Sequence, residues 1–369
     1  MHACYSDVSS LFQARGLDHH QWAYSGGDNA VEYPVITGAV MWATSWLAPS
    51  GRNPMRIFFD VNALLIALLF IGVVIIVGRI RPQFAYLLPL SPAVIASLYI
   101  NWDLWGIISM MLAIYFFDRR RLGLSSILLG VSIATKFFPV LLLFPIIFIL
   151  WRRNELRRIG KYLLITVGVW LAINLPVMLT TPQGWWRFYK LNLGRESEWG
   201  SIWYAFSLLG VKINHLNYIT ILALLIVLVA MMIYLLDLPV VPKLADVSFI
   251  LMAAVLCLGK VYSPQYVLWL TPLAVIALRN KGSLFGFWVW QAGEVIYHLA
   301  IWQHLALTEG ARFGLPAGGY AFATLVRVAT TVFFIASLVR SSLDKRSPQA
   351  QEAHQGLADF LFGSADSYP

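Results

Sequence analysis

The chain has 369 residues, of which 59% are hydrophobic and only 12% charged. An average soluble domain carries about 25% charged residues, so a water-soluble globular protein is excluded and a polytopic membrane protein is indicated. The formal net charge of +9 reads as basic cytoplasmic loops rather than a nucleic-acid surface, because the inner face of a membrane protein retains Lys and Arg.

Residues 1–56 open the chain as a polar segment without the apolar core of a signal peptide in its first 30 residues. The segment carries Asp7 in CYSDV, His19, His20, Asp28, and Glu32 with Tyr33 in VEYP. Within it, 33–48 (YPVITGAVMWATSWLA) is weakly apolar and interrupted by Pro, Gly and Thr. This stretch is expected to be a re-entrant or interfacial helix on the outer face. Eleven apolar runs follow, at 57–78, 84–100, 102–117, 122–136, 138–151, 159–181, 216–236, 246–261, 264–279, 284–302 and 317–340. A span takes roughly 17–25 such residues, fewer where neighbours shelter its ends. Arg79, Arg81, Arg119 to Arg121, Arg152 to Lys161, Arg279, Lys281, Lys345 and Arg346 then all fall on the inner side. The expected organisation is an extracytoplasmic loop at 1–56, a transmembrane bundle at 57–340 and a disordered cytoplasmic tail at 341–369. A chain that opens in an outer loop is also expected to follow a further spanning helix.

Polar residues collect at the outer helix ends under this topology. They are Asn101-Trp102-Asp103, Lys136 in ATKFFP, the 182–201 segment PQGWWRFYKLNLGRESEWGS, and Lys260, Tyr262 and Gln265 around Ser263-Pro264. Plain structural roles exist for many of them. A loop aspartate is often an N-cap, and an aromatic outer loop is often an interfacial belt. Lys136 and Lys260 are harder to explain so, since an ionisable group at membrane depth costs roughly 2.5–3.5 kcal/mol. They point to an anion site, a lipid phosphate above all. Glu294 and His298 share one helix face. A buried Glu294–Arg327 pair is the structural reading, with His298 nearer the outer surface. No DxD, HExxH, CxxC, P-loop or GxGxxG pattern occurs, and Cys4 and Cys257 are too few for a disulfide framework. No metal and no cofactor is expected.

A sugar on a lipid phosphate needs a cation for its leaving group, a greasy groove for its tail, and a general base near the anomeric carbon. One base without a carboxylate nucleophile implies a single inverting displacement. Trp102, Trp185, Trp186 and Trp199 are candidates for stacking on sugar rings.

The stretches CYSDVSSLFQARGL, VEYPVITGAVMW, NWDLWG, GVSIATKFFPVLLL, EWGSIWY, KVYSPQYVLWLTPL and WQAGEVIYHLAIW together resemble actinobacterial membrane proteins of glycosyltransferase family 87, from Cys4 to about Arg340. The resemblance implies an all-α GT-C-like bundle, a polyprenyl-phosphate-linked sugar donor (mannose first, arabinofuranose second), and a cell-envelope glycolipid or glycan acceptor. It implies Asp7, in the first extracytoplasmic loop, as the catalytic base, with Glu32 a second acid, and a helix preceding that loop. The sequence adds Asp103, Lys136, Lys260, Tyr262, Gln265, His298 and Trp199 as substrate contacts. A lipid-linked-sugar flippase is the competing reading, but transporters are built from internal repeats and none is visible.

Overall fold

The computed structural model describes residues 5–48, 51 and 53–343. Among them every regular element is helical. A short amphipathic helix, α1 (Asp7–Ala14), precedes α2 (Val35–Ser45) and the long α3 (Pro54–Ile80). The chain continues through α4 (Leu87–Leu90), α5 (Pro92–Ser97), α6 (Asp103–Asp118), α7 (Leu122–Thr135), α8 (Leu143–Arg152) and α9 (Leu156–Thr180). Then come α10 (Pro182–Gly194), α11 (Ile202–Leu208), α12 (Leu216–Asp237), α13 (Leu244–Leu258), α14 (Val267–Ala277), α15 (Lys281–Thr308) and α16 (Ala317–Leu343).

Each of the eleven apolar runs coincides with helix. Four helices, α3, α9, α12 and α16, have by themselves the length and composition to cross a membrane, the mark of an integral membrane protein. The run 84–100 is not one helix. Ser91 is extended and Pro92 starts a new helix, because proline lacks the N–H that continuation would need. At 11 residues, α2 is about 16 Å long at 1.5 Å per residue, too short to cross, and it packs against α3, α7 and α9. α16 runs to Leu343, past the expected start of the tail. Cys4, Lys345, Arg346 and the tail from 344 lie outside the described residues.

Sequence dictates depth. All eleven residues of α14 are buried, as are twelve of the fifteen in α13, and both are apolar over most of their circumference, the carboxylate of Asp246 at one end of α13 excepted. Such helices belong at the centre of a bundle, and α14 is packed against α3, α4, α5, α6 and α13. By contrast α9 and α12 leave Leu164, Leu179, Ile221, Leu222, Ile226 and Ile233 exposed. In water this would be an unmanageable apolar surface; against hydrocarbon it costs nothing.

The bundle has two chemically different ends. At one, arginines cover the carbonyls that helix C-termini leave unpaired. Arg81 donates to Leu278 O at 2.6 Å and Arg152 to Leu238 O at 2.5 Å, while Arg279 pairs with Asp246 at 2.6 Å. At the other end the first loop meets the α5–α6 connection, where Asp7 N donates to Ile100 O at 2.7 Å and the Ser6 hydroxyl to Tyr99 O at 2.7 Å. The segment after α10 meets the segment after α13 there as well, through Glu198 N to Lys260 O at 2.9 Å.

Candidate functional site

The second end holds a cavity of about 450 Å³. Its wall takes Tyr5 and Asp7 from the start of α1, Glu32 and Tyr33 from the first loop, and Lys136 from the end of α7. Phe188, Asn192, Arg195, Glu198 and Trp199 come from α10 and the turn after it, Gln265 and Tyr266 from the entrance to α14, and Trp302 from α15.

Ser6 caps α1, its hydroxyl accepting from Val8 N at 3.2 Å, so Asp7 becomes the first helical residue and its carboxylate is fixed by a short, well-anchored turn. The Tyr33 hydroxyl donates to Asp7 Oδ2 at 2.9 Å. Burial pushes the Asp7 carboxyl above its ordinary value; hydrogen bonds from Tyr33 and Tyr5 and the charge of Lys136 oppose the rise without cancelling it. Burial, and then the charge of Asp7, push the Tyr5 phenol up to about 12, which keeps it a proton donor.

Glu32 lies on the same wall in the opposite condition. Burial disfavours its charge, but Arg15 outweighs this with paired hydrogen bonds of 2.7 and 2.8 Å and holds the carboxyl below the usual range. Two carboxylates on one cavity, one raised and one lowered, are the pattern that divides labour between a proton acceptor and a fixed anion.

Lys136 stands at the other side of Tyr33. Its Nζ sits 4.6 Å from the Tyr33 ring centroid and 2.6 Å from Asp103 Oδ1. Asp103 begins α6 and is 1% exposed, so it supports Lys136 from behind instead of facing the cavity. Below this lies the second buried ion pair, Arg327 with Glu294, at 2.8 Å and 0% and 1% exposed. Arg327 also donates to the Tyr262 and Ser263 carbonyls and stacks 3.4 Å from the Tyr262 ring centroid. The Tyr262 hydroxyl donates to Glu294 Oε1 at 2.8 Å. These bonds fix the turn that presents Gln265 and Tyr266. Trp199 is held by the next residue: Gly200 has φ +80, and a Cβ there would lie 2.0 Å from the Tyr262 carbonyl oxygen, so only glycine fits.

The architecture is similar to that of ArnT from Cupriavidus metallidurans. That structure, solved bound to undecaprenyl phosphate, matches with a TM-score of 0.50 and 15% identity over 97% of this chain and 76% of the ArnT chain. The likeness establishes the fold alone, and the all-α, multi-span bundle expected from the sequence agrees with it. No family model matches the chain, and no curated protein matches it, so membership of family 87 is not shown.

Within this ArnT-like frame, Asp7, Glu32, Lys136, Trp199 and Gln265 line one cavity. Asp103, Lys260, Tyr262 and His298, also expected as substrate contacts, do not. Lys260 turns outward, its Nζ donating to Arg195 O and Asn217 Oδ1, each at 2.6 Å. Tyr262 is consumed by Glu294. The His298 ring accepts from Trp302 Nε1 at 2.9 Å and lies behind that tryptophan. Tyr5, Tyr33, Arg195 and Tyr266 belong to the wall and were not singled out as contacts. Arg195 and Glu198 had one local signal, opposite charges three apart in GRESE. The Arg15–Glu32 and Asp103–Lys136 pairs had none, being 17 and 33 positions apart.

Proposed function

We propose that the protein is a membrane glycosyltransferase that takes its sugar from a polyprenyl phosphate donor. The observation that carries the reading is the Asp7 carboxylate, raised by burial, set in a cavity with the Lys136 ammonium on the same wall. The fold it shares with ArnT, a GT-C glycosyltransferase with undecaprenyl phosphate bound, supports it.

The donor phosphate sits toward Lys136 and the acceptor hydroxyl at Asp7. As the acceptor oxygen bonds to the anomeric carbon, Asp7 removes its proton. The bond from that carbon to the phosphate oxygen breaks with its electron pair on the phosphate, whose charge Lys136 offsets. One displacement inverts the anomeric centre, and a base with a pKa moved toward neutrality suits the step. Trp199 and Trp302 offer ring faces to the sugar. Glu32, tied to Arg15, braces the first loop. Mannose as the sugar and a cell-envelope glycolipid or glycan as the acceptor follow from the resemblance in sequence. The arginine-rich end faces the cytoplasm and the cavity the outside, with the helices crossing about eleven times.

The test is transfer from a radiolabelled polyprenyl-phosphate mannose to a membrane extract by the protein in nanodiscs. Asp7→Asn is expected to abolish product while donor binding persists. Unimpaired transfer by that variant would remove Asp7 from the mechanism.

A further inference from the structure

Two cations line the cavity among the described residues, Lys136 and Arg195, and each already has a carboxylate. Lys136 pairs with Asp103 at 2.6 Å, and Arg195 Nε with Glu198 Oε1 at 2.8 Å. A phosphate placed toward Lys136 therefore meets a charge that Asp103 already balances, and any further positive charge must be drawn from its partner.

The two pairs differ in what that would cost. Asp103 is 1% and Lys136 15% exposed, and parting them would strand a bare carboxylate in the protein interior, among the most unfavourable changes available. Arg195 and Glu198 are 30% and 42% exposed. A pair so placed contributes little net stability, because water competes for both partners. Its exchange is cheap.

The backbone permits the side chain to move alone. Lys260 Nζ holds the Arg195 carbonyl at 2.6 Å, and Glu198 N holds the Lys260 carbonyl at 2.9 Å. The 195–198 turn is thus strapped at both ends to the segment after α13, and only the guanidinium need swing. Lys260 is a positioning residue for this turn.

We infer that Arg195 is an exchangeable phosphate ligand, held by Glu198 while the cavity lacks phosphate and released to the phosphate group when one enters. The inference deepens the donor-site reading and rests on it. The shared chemistry is a phosphate oxygen, whether on a lipid or free.

The experiment measures binding to the full chain in nanodiscs, with undecaprenyl phosphate and inorganic phosphate as separate probes. Arg195→Ala should weaken the probe that binds about tenfold or more, as loss of a charge-assisted contact does. Glu198→Gln should tighten it up to about fivefold, since it frees the guanidinium from a weak competitor. A gain cannot come from misfolding. The double variant should match Arg195→Ala. Weakening confined to the lipid probe assigns the source to a lipid phosphate; weakening of both assigns the site to phosphate generally. Unchanged binding in Arg195→Ala, or a Glu198→Gln loss equal to it, overturns the exchange. Binding without any sugar transfer would refute the transferase reading alone, and no binding of either probe by the unaltered protein would refute both.

Discussion

Replacing Tyr33 by Phe removes one hydrogen bond from Asp7 and leaves the rest of the wall in place. The ring that sits under Lys136 at 4.6 Å and packs edge-on to Trp102 at 6.1 Å is retained; the 2.9 Å bond to Asp7 Oδ2 is lost. A hydrogen bond to a charged group contributes about 1.5–3 kcal/mol, and one pKa unit corresponds to about 1.36 kcal/mol. The bond favours the ionised carboxylate, so its removal should raise the Asp7 pKa, already above the ordinary value, by a further one to two units or so. A base works only when ionised. The acidic limb of the rate profile should therefore move to higher pH by about that amount, with the plateau above it largely kept. The assay is initial transfer rate against pH for both proteins at saturating donor. A limb that stays put or moves to lower pH, or a uniform loss at every pH, would refute the assignment of Asp7 as the base whose pKa Tyr33 sets.

Other outcomes follow from the same geometry. Asp7→Asn should abolish transfer yet leave stability at neutral pH equal or higher. A folded-state pKa above the unfolded one costs stability as pH rises between the two, and the amide escapes that cost; thermal unfolding in detergent at pH 5 and 8 checks it. Arg327→Met should destabilise the protein by about 3–5 kcal/mol, since it leaves Glu294 buried and unpaired, read as a large drop in melting temperature. Gly200→Ala should cost more than about 2 kcal/mol and impair transfer, because the Tyr262 carbonyl occupies the space of the new methyl. Lys260→Ala should weaken donor binding less than Lys136→Ala, because Lys260 lies outside the cavity; equal losses in a binding titration would contradict that placement.

Apolar runs made the helices legible, because a chain segment in hydrocarbon must satisfy its own backbone. The Glu294–Arg327 pair was legible too, since two charges at membrane depth in neighbouring helices have few other solutions. The break at Ser91–Pro92 lies inside a continuous apolar run that hides it. The aromatic, basic stretch 182–194 read as a loop yet forms α10, its mixed face suited to an interface. The resemblance pointed to Asp7 and Glu32, and depth and side to Lys136, Trp199 and Gln265 on the same wall. Depth and side could not distinguish a lysine facing the cavity, Lys136, from one turned to neighbouring loops, Lys260. That distinction depends on acceptors such as Asn217 and the Arg195 carbonyl, which no local pattern connects to residue 260. His298 failed for a similar reason: Trp302, one turn on, takes its ring nitrogen and the cavity face together.

The cavity wall is assembled from chain positions as far apart as Tyr5 and Leu305, and its chemistry has no local address. A single cut between 195 and 199 would separate Arg195 from Trp199 without interrupting any helix. The wall is thus complete only once α15 has taken its place in the bundle.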